Sequence, residues 1–99
     1  MKDTYAWIID RDHLSGGDDS DAGTVGPRFA PDSLLADLKA GKGTLFRLFD
    51  DDGELYYSGR IVFADPDEGV GLEPLDDYGA PNAGCTTMHA FERGVWVEI

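Results

Sequence analysis

The stretch FRLFDDDGELYYSGR, residues 46–60, sets three aspartates and a glycine between two runs of aromatic and aliphatic residues. Asp and Gly are turn formers, Gly because it enters positive φ without steric cost, so the segment reads as a β-hairpin with its tip near Asp52 and Gly53. Side chains alternate between the two faces of a strand, and the loop length therefore decides which residues share a face. A two- or four-residue loop gathers Phe46, Leu48, Leu55, Tyr57, Ile61 and Phe63 on one side and leaves Arg47, Phe49, Tyr56, Ser58 and Arg60 on the other. A three-residue loop would set Phe46 and Leu48 beside Ser58 and Arg60, which separates the apolar residues poorly. The even-length loop is the expectation.

An isolated hairpin is marginal in water, and the rest of the chain supplies what it needs. TYAWIID, residues 4–10, alternates Tyr5, Trp7 and Ile9 with Ala6, Ile8 and Asp10, a strand pattern in aromatic and β-branched residues. APDSLLADLKAGKG, residues 30–43, offers Pro31, Asp32 and Ser33 as a helix start, Leu34, Leu35 and Leu38 on one side, and Gly41 as a stop. Asp32 near the start and Lys39 and Lys42 near the end match the helix dipole. So short a helix does not stand alone, and its leucine face must lie on the sheet. CTTMHAF and VWVEI read as two closing strands around Glu92, Arg93 and Gly94, with Val95, Val97 and Ile99 facing inward. Residues 14–28 and 64–84 are rich in Gly, Pro and Asp and read as irregular connections. The first closes on a specific VGPR turn, and the second holds a short extended piece near Val70 to Leu72. The expected fold is α+β, a small antiparallel sheet of about four to five strands with one short helix packed on one face. Residues 1–99 form a single domain, since halves of such a chain could not each bury a core.

Twenty acids against eight bases give a formal net charge of −12. A chain so charged repels nucleic acid and anionic lipid, and a charge-driven partner must be basic. The single cysteine, Cys85, allows no internal disulfide, and no apolar run approaches the roughly 18 residues of a membrane span. The expectation is a cytoplasmic protein, without membrane contact.

The chain is not expected to be an enzyme or to carry a metal or cofactor. With Gly53 at the sixth place of a calcium loop, Asp50 and Asp52 fit the third and fifth, but Leu48 occupies the first and Gly59 the twelfth. Cys85 and His89 would share a strand face about 13 Å apart, too far for proton transfer. His13 beside Asp10 and Asp12 satisfies no metal-ligand spacing. Asp76 and Asp77, adjacent in sequence, read as a polar loop rather than an acid–base pair. Arg47 and Arg60 near Phe49 and Tyr56 suggest an aromatic sheet surface for RNA, but too few cations are present to drive counterion release.

The acids themselves are the distinctive feature. They cluster as Asp18, Asp19 and Asp21; Asp50, Asp51, Asp52 and Glu54; Asp65, Asp67 and Glu68; and Asp76 and Asp77, nearly all in turn sequences. Spaced carboxylates on a rigid surface offer negative charge to a groove built for a phosphate backbone. GTVGPR, FRLFDDDGELYYSGR and PLDDYGAPNAGCT together resemble a group of small acidic proteins carried by bacterial phages, plasmids and other mobile elements. The resemblance spans about two thirds of the chain and gives a setting rather than a set of catalytic residues. In size, charge and lack of catalytic apparatus the chain is similar to anti-CRISPR and antirestriction inhibitors. The resemblance implies a non-enzymatic inhibitor of a nucleic-acid-handling defence complex, a CRISPR effector first. Asp50, Asp51, Asp52, Glu54, Asp76, Asp77, Asp18, Asp19 and Asp21 would meet its basic surface, with Tyr78 or Trp96 as aromatic anchor. The alternative is an accessory module of a mobile element that binds a protein through the sheet edge or the aromatic face around Phe49 and Tyr56.

Overall fold

The computed structural model describes residues 5–13, 23–28, 30–65 and 70–99. Its strands are β1 (Tyr5–Asp12), β2 (Thr24–Gly26), β3 (Thr44–Phe49), β4 (Leu55–Phe63), β5 (Thr87–Glu92) and β6 (Val95–Glu98), antiparallel throughout in the order β2-β1-β4-β3-β5-β6. The α+β class holds, while the sheet has six strands rather than four to five. The additional strand is β2, hidden within GTVGPR, which pairs with β1 through Trp7↔Gly26 and Ile9↔Thr24 and stops at a cis Gly26–Pro27 bond.

The helix falls where the leucines place it. α1 spans Asp32–Lys39, with Pro31 as its N-cap residue. Its end is a Schellman closure: Lys42 N–H donates to Asp37 O at 3.0 Å and Gly41 N–H to Leu38 O at 3.1 Å, with Gly41 at φ +87°. Leu34 and Leu38 pack with Ala6, Ile8 and Val62 on one face of β1 and β4. Arg60 fixes the helix end to that face. Its guanidinium meets Asp10 at 2.8 and 3.0 Å through Nε and Nη2, and donates through Nη1 to Leu38 O at 2.8 Å and Lys42 O at 3.3 Å.

A second cover lies on the opposite face, so a single helix on a single face is not the arrangement. Residues read as irregular form a π-helical turn at Leu75–Gly79 that runs into α2, Ala80–Ala83. Pro74, a breaker in a helix interior, stands at its start, and Pro81 follows the Gly79–Ala80 junction where the turn passes into α2. This segment places Leu75 and Cys85 in a core with Trp7, Ile9, Phe46, Leu48, Tyr57, Ile61 and Met88. Burial of such aliphatic and aromatic side chains contributes about 1.5–3 kcal/mol each.

The hairpin separates its faces by a different route from the even-length loop. Asp50 N–H donates to Glu54 O at 3.1 Å, which leaves a three-residue tip of Asp51, Asp52 and Gly53, with Gly53 at φ +82°. The register runs Phe49↔Leu55 and then Leu48↔Tyr57, so Tyr56 is an extra bulged residue. The odd tip and the bulge together restore the parity that sets Phe46, Leu48, Tyr57 and Ile61 in one core. Two side chains are exchanged by this. Leu55 turns to the face of its partner Phe49, and Tyr56 packs against the core.

A second bulge lies in β1, where the register passes from Ile9↔Gly59 to Arg11↔Ser58 and leaves Asp10 as the extra residue, aimed at Arg60. At Gly59 the chains approach so closely that a Cβ would overlap the Ile8 carbonyl oxygen and press on the Phe46 ring. At the far edge, Val95, Val97 and Ile99 take the core-facing parity. Only Ile99 packs against the cluster, and Val95 is 57% exposed because the 75–83 cover does not reach β6.

Candidate functional site

The acidic tip is built by one of its own carboxylates. Asp50 Oδ1 accepts the backbone N–H of Asp52 at 2.9 Å and of Glu54 at 2.8 Å, while Gly53 N–H donates to Asp50 O at 3.1 Å. The Glu54 N–H, chiefly, and the Tyr56 hydroxyl hold the Asp50 carboxyl below the ordinary aspartate range, and the same contact raises the Tyr56 phenol. Asp50 is therefore a turn-forming residue. Asp51, Asp52 and Glu54 are exposed around it, on a backbone that it fixes.

Asp77 has an internal role. Tyr5 donates its hydroxyl to Asp77 Oδ2 at 2.7 Å, and Trp7 donates Nε1 to the same oxygen at 3.0 Å. Both Asp77 and its neighbour Asp76 are exposed. Tyr78 is no exposed anchor: its ring lies 5.4 Å from Trp7 and 5.0 Å, edge-on, from Tyr57. Burial first, and Tyr78 second, push the Tyr57 phenol up to about 12.

The clusters do not share one place. Asp77 sits against Trp7, whose strand partner is Ile61, while the tip begins beyond Leu55. Along β4, Ile61 and Leu55 are about 20 Å apart by strand rise. Asp18, Asp19, Asp21, Asp67 and Glu68 lie outside the described residues.

A second surface went unread in this form. Among the described residues α1 packs on β1 and β4, and beyond it the same sheet face, over β3, β5 and β6, carries exposed side chains. Cross-strand pairing aligns Arg11, Ser58, Arg47, His89 and Glu98 in one row. Beside it, Arg47 lies 4.0 Å above the Trp96 ring, Phe91 meets Trp96 at 5.3 Å, and Phe49 meets His89 at 4.6 Å. Leu45 and Phe91 are exposed here. The alternation of Arg47, Phe49, Phe91 and Trp96 with core residues was the available signal. Tyr56, grouped with Phe49 by the even-loop reading, is on the other side.

The reactive residue types are placed apart. Cys85 is in the core, its thiol pushed up to about 11 mainly by burial and then by the Asp50 charge. His89 stacks on Phe49 on the opposite face and comes within 3.8 Å of Glu98, so the two do not share a face. His13 Nε2 lies 3.1 Å from Ser58 Oγ. Among the described residues no three His, Cys, Asp or Glu side chains converge as a metal site, and no helix is long and apolar enough to cross a membrane. In comparisons with known proteins, the chain matches no family model, no curated protein and no solved structure.

Proposed function

We propose that the protein is a non-enzymatic inhibitor from a phage or mobile element that binds a host nucleic-acid-handling defence complex, a CRISPR effector first. Its acidic hairpin would meet lysines and arginines that otherwise hold DNA or guide RNA. The observation that supports this reading is the Asp50-locked tip, which fixes the backbone under the exposed Asp51, Asp52 and Glu54 and so lowers the ordering cost of binding. Electrostatic complementarity of this kind speeds encounter more than it sets residence time.

The test is DNA binding by a purified effector with the protein present. Inhibition that weakens with added salt and is lost in Asp51→Ser/Asp52→Ser/Glu54→Gln is the expected result. Unchanged DNA binding at saturating protein sinks the proposal.

A second reading, an accessory protein-binding module, is favoured by the open face where Arg47 covers Trp96 beside exposed Phe91 and Leu45. Trp and Arg dominate interface energetics. For such a module, Phe91→Ser would remove partner capture, and the hairpin-tip triple substitution would leave it intact.

A further inference from the structure

β6 is an edge strand of four residues, Val95–Glu98, with no proline, lysine or bulge, and Glu98 is its one charged residue. Ile99 N–H donates to Met88 O at 3.0 Å. By alternation Val95, Val97 and Ile99 direct their backbone groups to β5, and Trp96 and Glu98 direct theirs to the open edge. We propose that this edge pairs antiparallel with β6 of a second copy of the chain, Trp96 opposite Glu98 of the copy and Val97 opposite itself on a two-fold axis.

The register follows from the side chains. Setting Glu98 against Glu98 would oppose like charges directly, and setting Trp96 against Trp96 would bring the two Arg47 guanidiniums together and leave Glu98 opposite the Gly94 turn. The intermediate register alone uses both outward-facing residues, giving four backbone hydrogen bonds across the axis. It also places each Glu98 carboxylate, 72% exposed in the single chain, beside the Trp96 ring and the Arg47 that covers it. On the core side, Val95 is covered by Ile99 of the copy and Val97 by its equivalent, which removes apolar surface the 75–83 segment leaves open. The axis further brings the Arg93 turn of one chain to the end of the sheet that carries the acidic tip of the other. Such an assembly is isologous and closed, as a two-fold interface must be.

Sedimentation velocity over a concentration series tests this. The wild-type chain is expected to double its mass from 10.8 kDa as concentration rises. Glu98→Pro removes an outward N–H without touching a β5 bond, and so eliminates two of the four intermolecular bonds. It is expected to weaken dimerisation about tenfold or more, with thermal unfolding unchanged at concentrations low enough that both chains are monomeric. Glu98→Arg and Arg47→Glu, each alone, oppose like charges and are expected to be monomeric, and their equimolar mixture is expected to recover the dimer. A wild-type chain that stays monomeric overturns the proposal. So does a Glu98→Pro dimer of undiminished affinity, a mixture that stays monomeric, or open-ended growth beyond two chains.

Discussion

Trp7 and Asp77, far apart in sequence, are joined by a 3.0 Å hydrogen bond from the indole Nε1 to the carboxylate, which Tyr5 also donates to. The bond ties the π-helical turn to the outer end of β1. Asp77→Ala should cost about 1–2 kcal/mol, since two donors lose a charged acceptor at a partly wet site. Asp77→Asn, which keeps one acceptor oxygen, should cost less. Chemical denaturation followed by Trp fluorescence measures both, and Asp76→Ala is the control expected within about 0.5 kcal/mol of wild type.

Gly59 should accept no side chain. Gly59→Ala drives a methyl group into the Ile8 carbonyl and the Phe46 ring at the centre of the sheet, where backbone cannot withdraw cheaply. A loss of about 3 kcal/mol or more is expected, read as a fall in the denaturation midpoint.

Asp50 gives the tip an acid-sensitive lock. Its carboxyl is held below the ordinary value of 3.8 when folded, so its contribution to stability is full above that value and is lost as pH falls through the lower folded one. Thermal unfolding of the wild type between pH 5 and pH 2 should show this loss. Asp50→Asn should retain the turn bonds and flatten the pH dependence in that window, and Asp50→Ala should lower stability at neutral pH as well.

Cys85 should be a slow thiol. It is 3% exposed and its pKa is pushed up to about 11 by burial, so little thiolate exists at neutral pH. Alkylation of the native chain should run far behind that of the unfolded chain. Rapid, selective labelling of the native protein would revive a nucleophilic role.

Asp51, Asp52 and Glu54 should matter to a partner and not to the fold. Their joint replacement by Ser, Ser and Gln should change stability by less than about 0.5 kcal/mol, because no side chain among them accepts a turn-building bond as the Asp50 carboxylate does. Equilibrium unfolding checks this before any binding assay is interpreted.

β1, α1, β3, β4, β5 and β6 were legible because each has its own period, twofold in the strands and the Leu34, Leu35 and Leu38 face in α1. β2 was not, since three residues carry no period and its pairing to β1 is a tertiary fact. The helical 75–83 segment was masked by Pro74, Gly79 and Pro81, although Leu75 and Tyr78 are spaced as one helical face. The hairpin parity was readable while its cause was not. Counting residues between Leu48 and Tyr57 gives the same number for a four-residue loop as for a three-residue tip plus a bulge. The exchange of Leu55 and Tyr56 follows from that degeneracy. The candidate site was read one level too coarsely. A run of aspartates looks uniform in sequence, and only geometry separates Asp50, which makes the turn, from Asp51 and Asp52, which the turn displays. Asp77 is exposed as read, but its carboxylate is taken up by Tyr5 and Trp7, and Tyr78 packs between Trp7 and Tyr57.

The bulge at Tyr56 leaves the hairpin with one residue of slack. If one residue is deleted between Phe49 and Tyr57, the chain can straighten there and keep a three-residue tip, with Leu48 still opposite Tyr57. Beyond that pair, Phe46↔Gly59 and the rest of the ladder would not register the change. The tip is thus insulated from the sheet that carries it, free to change in length and charge while the hydrophobic interior stays in step.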